Sequence, residues 1–169
     1  MIDLKKYIAD IADFPSEWII FKDISPLLAN PQAFQETINL LANNIADCDV
    51  IVWLDARGFI FAGALAAQLS KPLVLVRKSW KLPGNTINVD YDLEYGSNTF
   101  EIQKNAIKSG DKVAVIDDLL ATGWTALAAC ELIETLGWRV SSVEFIIELW
   151  FLPWREKLKN YTINSLLTY

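Results

Sequence analysis

The chain has 169 residues, 53% of them hydrophobic and 21% charged, with a formal net charge of −6. That length and composition fit one folded domain that buries a core without disulfides or a structural metal, and they exclude a disordered chain. The acidic balance argues against an electrostatic grip on nucleic acid or an anionic membrane, and the absence of histidine removes the Ser-His-Asp triad, the Cys-His pair and the HExxH zinc site.

The start, Met1-Ile2-Asp3-Leu4-Lys5-Lys6, lacks the apolar run of a signal peptide, and no stretch of about 18 apolar residues follows, so a soluble cytoplasmic protein is expected. Leu4, Ile8 and Ile11 recur at helical spacing and predict a helix over Ile2–Ile11. Trp18 to Pro26 reads as extended chain ending in a turn. Asn30-Pro31 then opens a helix whose apolar face is Phe34, Ile38, Leu41 and Ile45. Cys48 and Cys130 show no CxxC spacing and are expected as buried, reduced thiols.

From residue 50 the pattern changes. Val50–Leu54 is a continuous apolar run ending in Asp55-Ala56-Arg57-Gly58, followed by a helix over Phe59–Leu69. Pro72–Val76 is a second run, ending in Arg77-Lys78. Val113–Ile116 is a third, ending in Asp117-Asp118, with a helix over Thr125–Leu136. Val143–Leu149 and Ile163–Leu167 complete five expected strands. Short apolar runs alternating with helices predict an α/β fold with a mostly parallel sheet covered on both faces. Ligands of such sheets bind outside the carboxyl ends of the strands, where these charged residues gather. The polar stretch 79–98, with Pro83, Gly84 and Gly96, interrupts the rhythm and reads as a long functional flap loop.

The sharpest motif runs from Val113 to Thr125. A strand feeds Asp117 and Asp118, and a small-residue loop, Ala121-Thr122-Gly123, leads through Trp124 to Thr125 at a helix start. Backbone N–H groups and hydroxyls at a helix N-terminus suit a phosphate, and the paired carboxylates suit ribose hydroxyls or a metal. A capped strand–turn–helix junction is the plainer reading, and the adjacent carboxylates weigh against it.

This arrangement resembles the ribose-5-phosphate loop of the type I phosphoribosyltransferases. Phe21-Lys22-Asp23-Ile24-Ser25-Pro26, Asp55-Ala56-Arg57-Gly58, Arg77-Lys78, Lys81-Leu82-Pro83-Gly84 and Leu93-Glu94-Tyr95-Gly96 fall in order, as in the adenine-using members of that family. The resemblance covers about residues 13–157. It implies one phosphoribosyltransferase domain over 1–169, with a small hood at about 1–28 and the flap at about 79–98. The implied reaction is adenine plus 5-phosphoribosyl 1-pyrophosphate (PRPP) giving AMP and pyrophosphate, a step of purine salvage.

Residue roles are implied in the same way. Asp55, Arg57 and Gly58 would hold the pyrophosphate, with Arg77, Lys78 and Lys81 adding positive charge, partly across a homodimer interface. Asp117, Asp118, Ala121, Thr122, Gly123, Trp124 and Thr125 would hold the ribose phosphate. Phe21 would stack on adenine, flanked by Ile20 and by Lys22, where the family commonly has arginine. Glu94 would handle the proton on the purine's N7, and Mg²⁺ would arrive bound mainly through PRPP. A phosphoribosyltransferase for another purine, or a non-catalytic ligand sensor of the same fold, are the alternative readings.

Tryptophan departs from the family pattern. The chain holds seven Trp and only seven Gly, below the ordinary ~7% for glycine. Trp18, Trp53, Trp80, Trp124, Trp138 and Trp154 stand where the family usually has glycine, and Trp150 has no such match. The pattern predicts one glycine codon, UGA, rendered as tryptophan.

Overall fold

The computed structural model describes residues 2–92 and 97–169, and the chain divides into two units, 1–40 and 41–169. The first unit does not begin with the helix that the apolar spacing suggests. A single 3-10 turn, Leu4–Tyr7, gives way to strand β1 (Ala9–Ile11), antiparallel to β2 (Phe21–Asp23). Cross-strand pairing overrides the helical spacing here. Asp10 stands opposite Lys22, and their side chains form an ion pair of 2.7 Å. Helix α1 (Ser25–Ala29) starts where the Asp23 carboxylate accepts hydrogen bonds from the Ser25 N–H and hydroxyl. Helix α2 (Pro31–Asn44) is capped by Asn30, whose Oδ1 accepts from the N–H groups of Gln32 and Ala33.

The second unit is built on β3 (Val50–Leu54), buried along its whole length. Helix α3 (Gly58–Leu69) crosses to β4 (Leu73–Lys78), parallel to β3, with Trp53 beside Leu75. Strand β7 (Lys112–Leu120) lies parallel on the other side of β3. Helix α4 (Trp124–Thr135) then leads to β8 (Arg139–Glu148), and β9 (Ile163–Thr168) pairs parallel with β8. These are the five expected parallel strands.

The stretch 79–98, read as a loop from its polarity, holds strand instead. β5 (Thr86–Asp92) and β6 (Ser97–Gln103) form an antiparallel ribbon, and β6 joins the edge of β4 at Arg77 and Lys78, so the full sheet runs β5-β6-β4-β3-β7-β8-β9. Its strands alternate polar and apolar, and the apolar side, with Tyr91, Phe100 and Ile102, joins the main core. That core also takes Val50, Val52, Leu54, Val113, Val115 and Phe145 from the sheet, together with Ala129, Cys130 and Ile133 from α4. Both cysteines are buried and carry free thiols. Among the described residues no helix is long and apolar enough to cross a membrane.

Candidate active site

β4, β3 and β7 are parallel neighbours, so their carboxyl ends open on one edge of the sheet. The chain leaves β3 toward β4 on one side, while β7, β8 and β9 build outward on the other. The order therefore reverses between β3 and β7, the place where open α/β sheets bind ligands.

Charged side chains meet across this edge in two pairs. Arg57 Nε lies 2.9 Å from Asp118 Oδ2, and Arg77 Nε donates to Asp55 Oδ2 at 3.2 Å. Both carboxylates are nearly withdrawn from water, at 8% and 10% side-chain exposure, whereas Arg57 keeps 36%. The Arg77 guanidinium also sits over the Phe59 ring, 5.4 Å from its centre. Two acids from strand ends thus hold the two arginines assigned to pyrophosphate.

Gly58 follows Arg57 at the first position of α3. A Cβ there would stand 2.9 Å from the Ile116 carbonyl oxygen and 3.2 Å from the Asp117 Cα. The glycine is required by the close passage of α3 beside β7. This is a packing reason, separate from the approach to an anion that the sequence suggested.

At the end of β7, Asp117 Oδ1 accepts the Asp118 N–H at 2.9 Å. Desolvation pushes the Asp117 carboxyl well above the usual carboxylate range, and the adjacent Asp118 charge adds to the rise. Desolvation raises Asp118 too, opposed by the Arg57 guanidinium. Beyond the acids the chain turns through Gly123 at φ +82° into α4. A hollow of about 70 Å³ lies there, lined by Asp117, Ala121, Thr122, Gly123 and Thr125 among others. Leu119, Leu120 and Phe145 close its apolar side, and the small residues 121–123 and Thr125 line the rest.

A phosphoribosyl transferase domain model matches residues 23–156. An adenine phosphoribosyltransferase of Mycoplasma mobile is 52% identical to the chain, over 99% of it and 97% of the relative. The crystal structure of the adenine phosphoribosyltransferase of Thermoanaerobacter pseudethanolicus superposes with a TM-score of 0.95 at 44% identity, covering 99% of this chain and 98% of that one. The chain belongs to the adenine phosphoribosyltransferase family. A further member, from Saccharomyces cerevisiae, was solved with adenine and an imino-altritol bisphosphate; it matches with TM-score 0.91 and 42% identity, over 97% of this chain and 96% of that one.

In this phosphoribosyltransferase the second unit brings Asp55, Arg57, Arg77, Asp117, Asp118 and the 121–125 loop to one edge of one sheet. Lys78 ends β4 with its side chain exposed. Lys81 is held by its backbone, because Glu101 Oε1 accepts the N–H groups of Lys81 and Leu82, each at 2.7 Å. Glu101 was not singled out by the sequence. It is 8% exposed and ties the turn after β4 to β6. Tyr91 was also missed. It stacks on Phe100 at 4.6 Å, and burial together with the Asp117 charge pushes its phenol up.

In the first unit Phe21 meets Phe14 edge-on at 5.1 Å, Ile20 is 57% exposed, and the Lys22 ammonium is engaged by Asp10. Trp124 opens α4, with Lys157 Nζ 4.6 Å from the centre of its ring. Glu94 lies outside the described residues.

Proposed function

We propose that the chain transfers the 5-phosphoribosyl group of PRPP to N9 of adenine, releasing pyrophosphate and forming AMP, in the cytoplasm and as a homodimer. The observation that carries this reading is the pairing of two carboxylate-held arginines with a small hollow at the start of α4, where the strand order reverses. An anion with two phosphate ends needs two such receptors, and each suits its end by different chemistry.

The pyrophosphate is assigned to Arg57 and Arg77, with Lys78 and Lys81 beside them. The 5′-phosphate is assigned to the hollow at Ala121–Thr125, and the ribose hydroxyls to Asp117 and Asp118. Ile20, Phe21 and Lys22 are assigned to adenine, and Glu94 to the proton that the base gives up. The bond from the anomeric carbon to pyrophosphate oxygen breaks as the bond to N9 forms, with positive charge developing on the sugar. The carboxylates answer the charge on the sugar and the arginines answer the charge on the leaving group.

Among the described residues no group of three or more His, Cys, Asp or Glu is placed to hold a metal by itself. The adjacent Asp117 and Asp118 offer hard oxygen donors, which fit Mg²⁺ whose other ligands are substrate oxygens. When bound, the ion neutralises charge on the departing pyrophosphate.

The test is an assay on protein carrying glycine at positions 18, 53, 80, 124, 138 and 154. It should convert adenine and PRPP to AMP and barely accept guanine or hypoxanthine. Glu94→Gln should lower turnover by about 10²–10⁴-fold while PRPP binding stays near its starting value. Equal use of guanine moves the assignment to another purine, and a loss below about threefold in Glu94→Gln removes that residue from the chemistry.

A further inference from the structure

Four of the seven tryptophans occupy places whose local structure fits an indole poorly, through a positive φ, a ring overlap or a buried unpaired N–H. In the first unit, the Ile19 N–H donates to the Ser16 carbonyl, closing a turn over Glu17 and Trp18. Trp18, third in that turn, has φ +70° and is 93% exposed. A hydrogen-bonded turn with positive φ at its third residue is type II, which calls for glycine there. Trp80 repeats the mismatch after β4. Its φ is +66° and it is 97% exposed, while Glu101 fixes the N–H groups of the next two residues. Among the described residues these two account for half of the four non-glycine residues at positive φ, the others being Asp13 and Ser70. Bulky side chains avoid that region.

The two buried examples fail differently. The Trp53 and Phe59 ring centres stand 2.7 Å apart, inside the ~3.5–4.0 Å at which carbon atoms settle, so the start of α3 leaves no room for an indole on β3. Nε1 of Trp53 is buried with no acceptor. Trp154, 4% exposed, likewise buries an unpaired Nε1, with the Arg155 guanidinium carbon 4.5 Å from the centre of its ring. A strand position or loop pressed by a neighbouring ring or backbone is where glycine is used.

We propose that residues 18, 53, 80 and 154 are glycine in the working protein, through a glycine codon rendered as tryptophan. One codon shared by the four carries Trp124 and Trp138 with it. This inference rests on backbone angles and packing and does not depend on the proposed reaction.

Two measurements test it. Peptide mass mapping of the protein from its own cells should find glycine at the four positions, and the gene should carry UGA there. An indole-bearing peptide, or UGG, at any of the four overturns the proposal. For the recombinant chain as written, Trp18→Gly and Trp80→Gly should each raise the thermal midpoint by about 2–4 °C. Both turns are on exposed surface, so these variants retain the core, and a fall in midpoint for either one overturns the proposal as surely as the mass map.

Discussion

The junctions β3–α3 and β7–α4 stand side by side, and each passes from a buried strand through an acid and a glycine into a helix. They solve different problems. At the first, Gly58 is demanded by its neighbour, the Ile116 carbonyl 2.9 Å from its virtual Cβ, and the anion receptor is a guanidinium. At the second, Gly123 is demanded by its own backbone at φ +82°, and the receptor is a hollow of about 70 Å³. One order of elements thus presents a guanidinium at one junction and a small hollow at the other, the two places proposed for the phosphate ends. Which of them a ligand uses depends on whether it carries one phosphate end or two.

The largest effect should come from separating the two receptors by ligand. Arg57→Ala removes a charge-assisted contact to pyrophosphate, a loss of about 1.5–3 kcal/mol, so KM for PRPP should rise about 10–100-fold. AMP has no pyrophosphate, and its Kd by calorimetry should move less than about threefold. A matching loss for AMP would merge the two receptors into one.

A smaller effect distinguishes the reasons for the two glycines. Gly58→Ala and Gly123→Ala should each cost about 1–3 kcal/mol in urea unfolding. Adding Trp154→Gly should return part of the loss at 123, where the nearest obstacle is the Trp154 Cβ, and nothing at 58, where it is a backbone carbonyl. Equal rescue at both positions would erase the distinction.

The smallest effect concerns pH. The folded state raises the Asp117 pKa above its ordinary 3.8, so the fold holds this proton more tightly than the unfolded chain does. That contribution is complete below about pH 3.8 and is lost as pH rises through the folded value. Asp117→Asn should therefore unfold at a higher temperature than its parent at neutral pH, with the gap closing as pH falls toward 3.8. A gap that does not change with pH would show that Asp117 titrates normally.

Much of this was legible in the sequence, and the rest had physical reasons to be hidden. Val50–Leu54 and Val113–Ile116 are apolar on both faces, a demand only a central parallel strand meets, so the sheet and the acids at its ends could be read directly. Thr86–Asp92 has clean alternation, yet its polar members and neighbouring Pro83 and Gly84 made it look like loop. Leu4, Ile8 and Ile11 keep helical spacing, but pairing of Ala9–Ile11 with Phe21–Asp23 prevailed over a short local preference. Glu101 gave no signal, because its role comes from two backbone N–H groups about 20 residues away. The ion pairs were hidden for a related reason. Their partners meet only once β4, β3 and β7 are neighbours, and no spacing encodes that order.

The two ion pairs also bear on how substrate arrives. Arg57 and Arg77 are each matched by a carboxylate, so these two pairs, unlike the exposed Lys78, add little attractive field for an anion still in bulk water. Long-range steering by the two arginines then contributes little to the encounter rate, and what salt screens comes from the lysines. On the proposed assignment, phosphate oxygens arriving at Arg57 and Arg77 compete at contact with Asp118 and Asp55 for the guanidinium groups. A carboxylate freed at Asp118 would, on the same assignment, meet the ribose hydroxyls, so seating one end of the substrate would prepare the receptor for its middle.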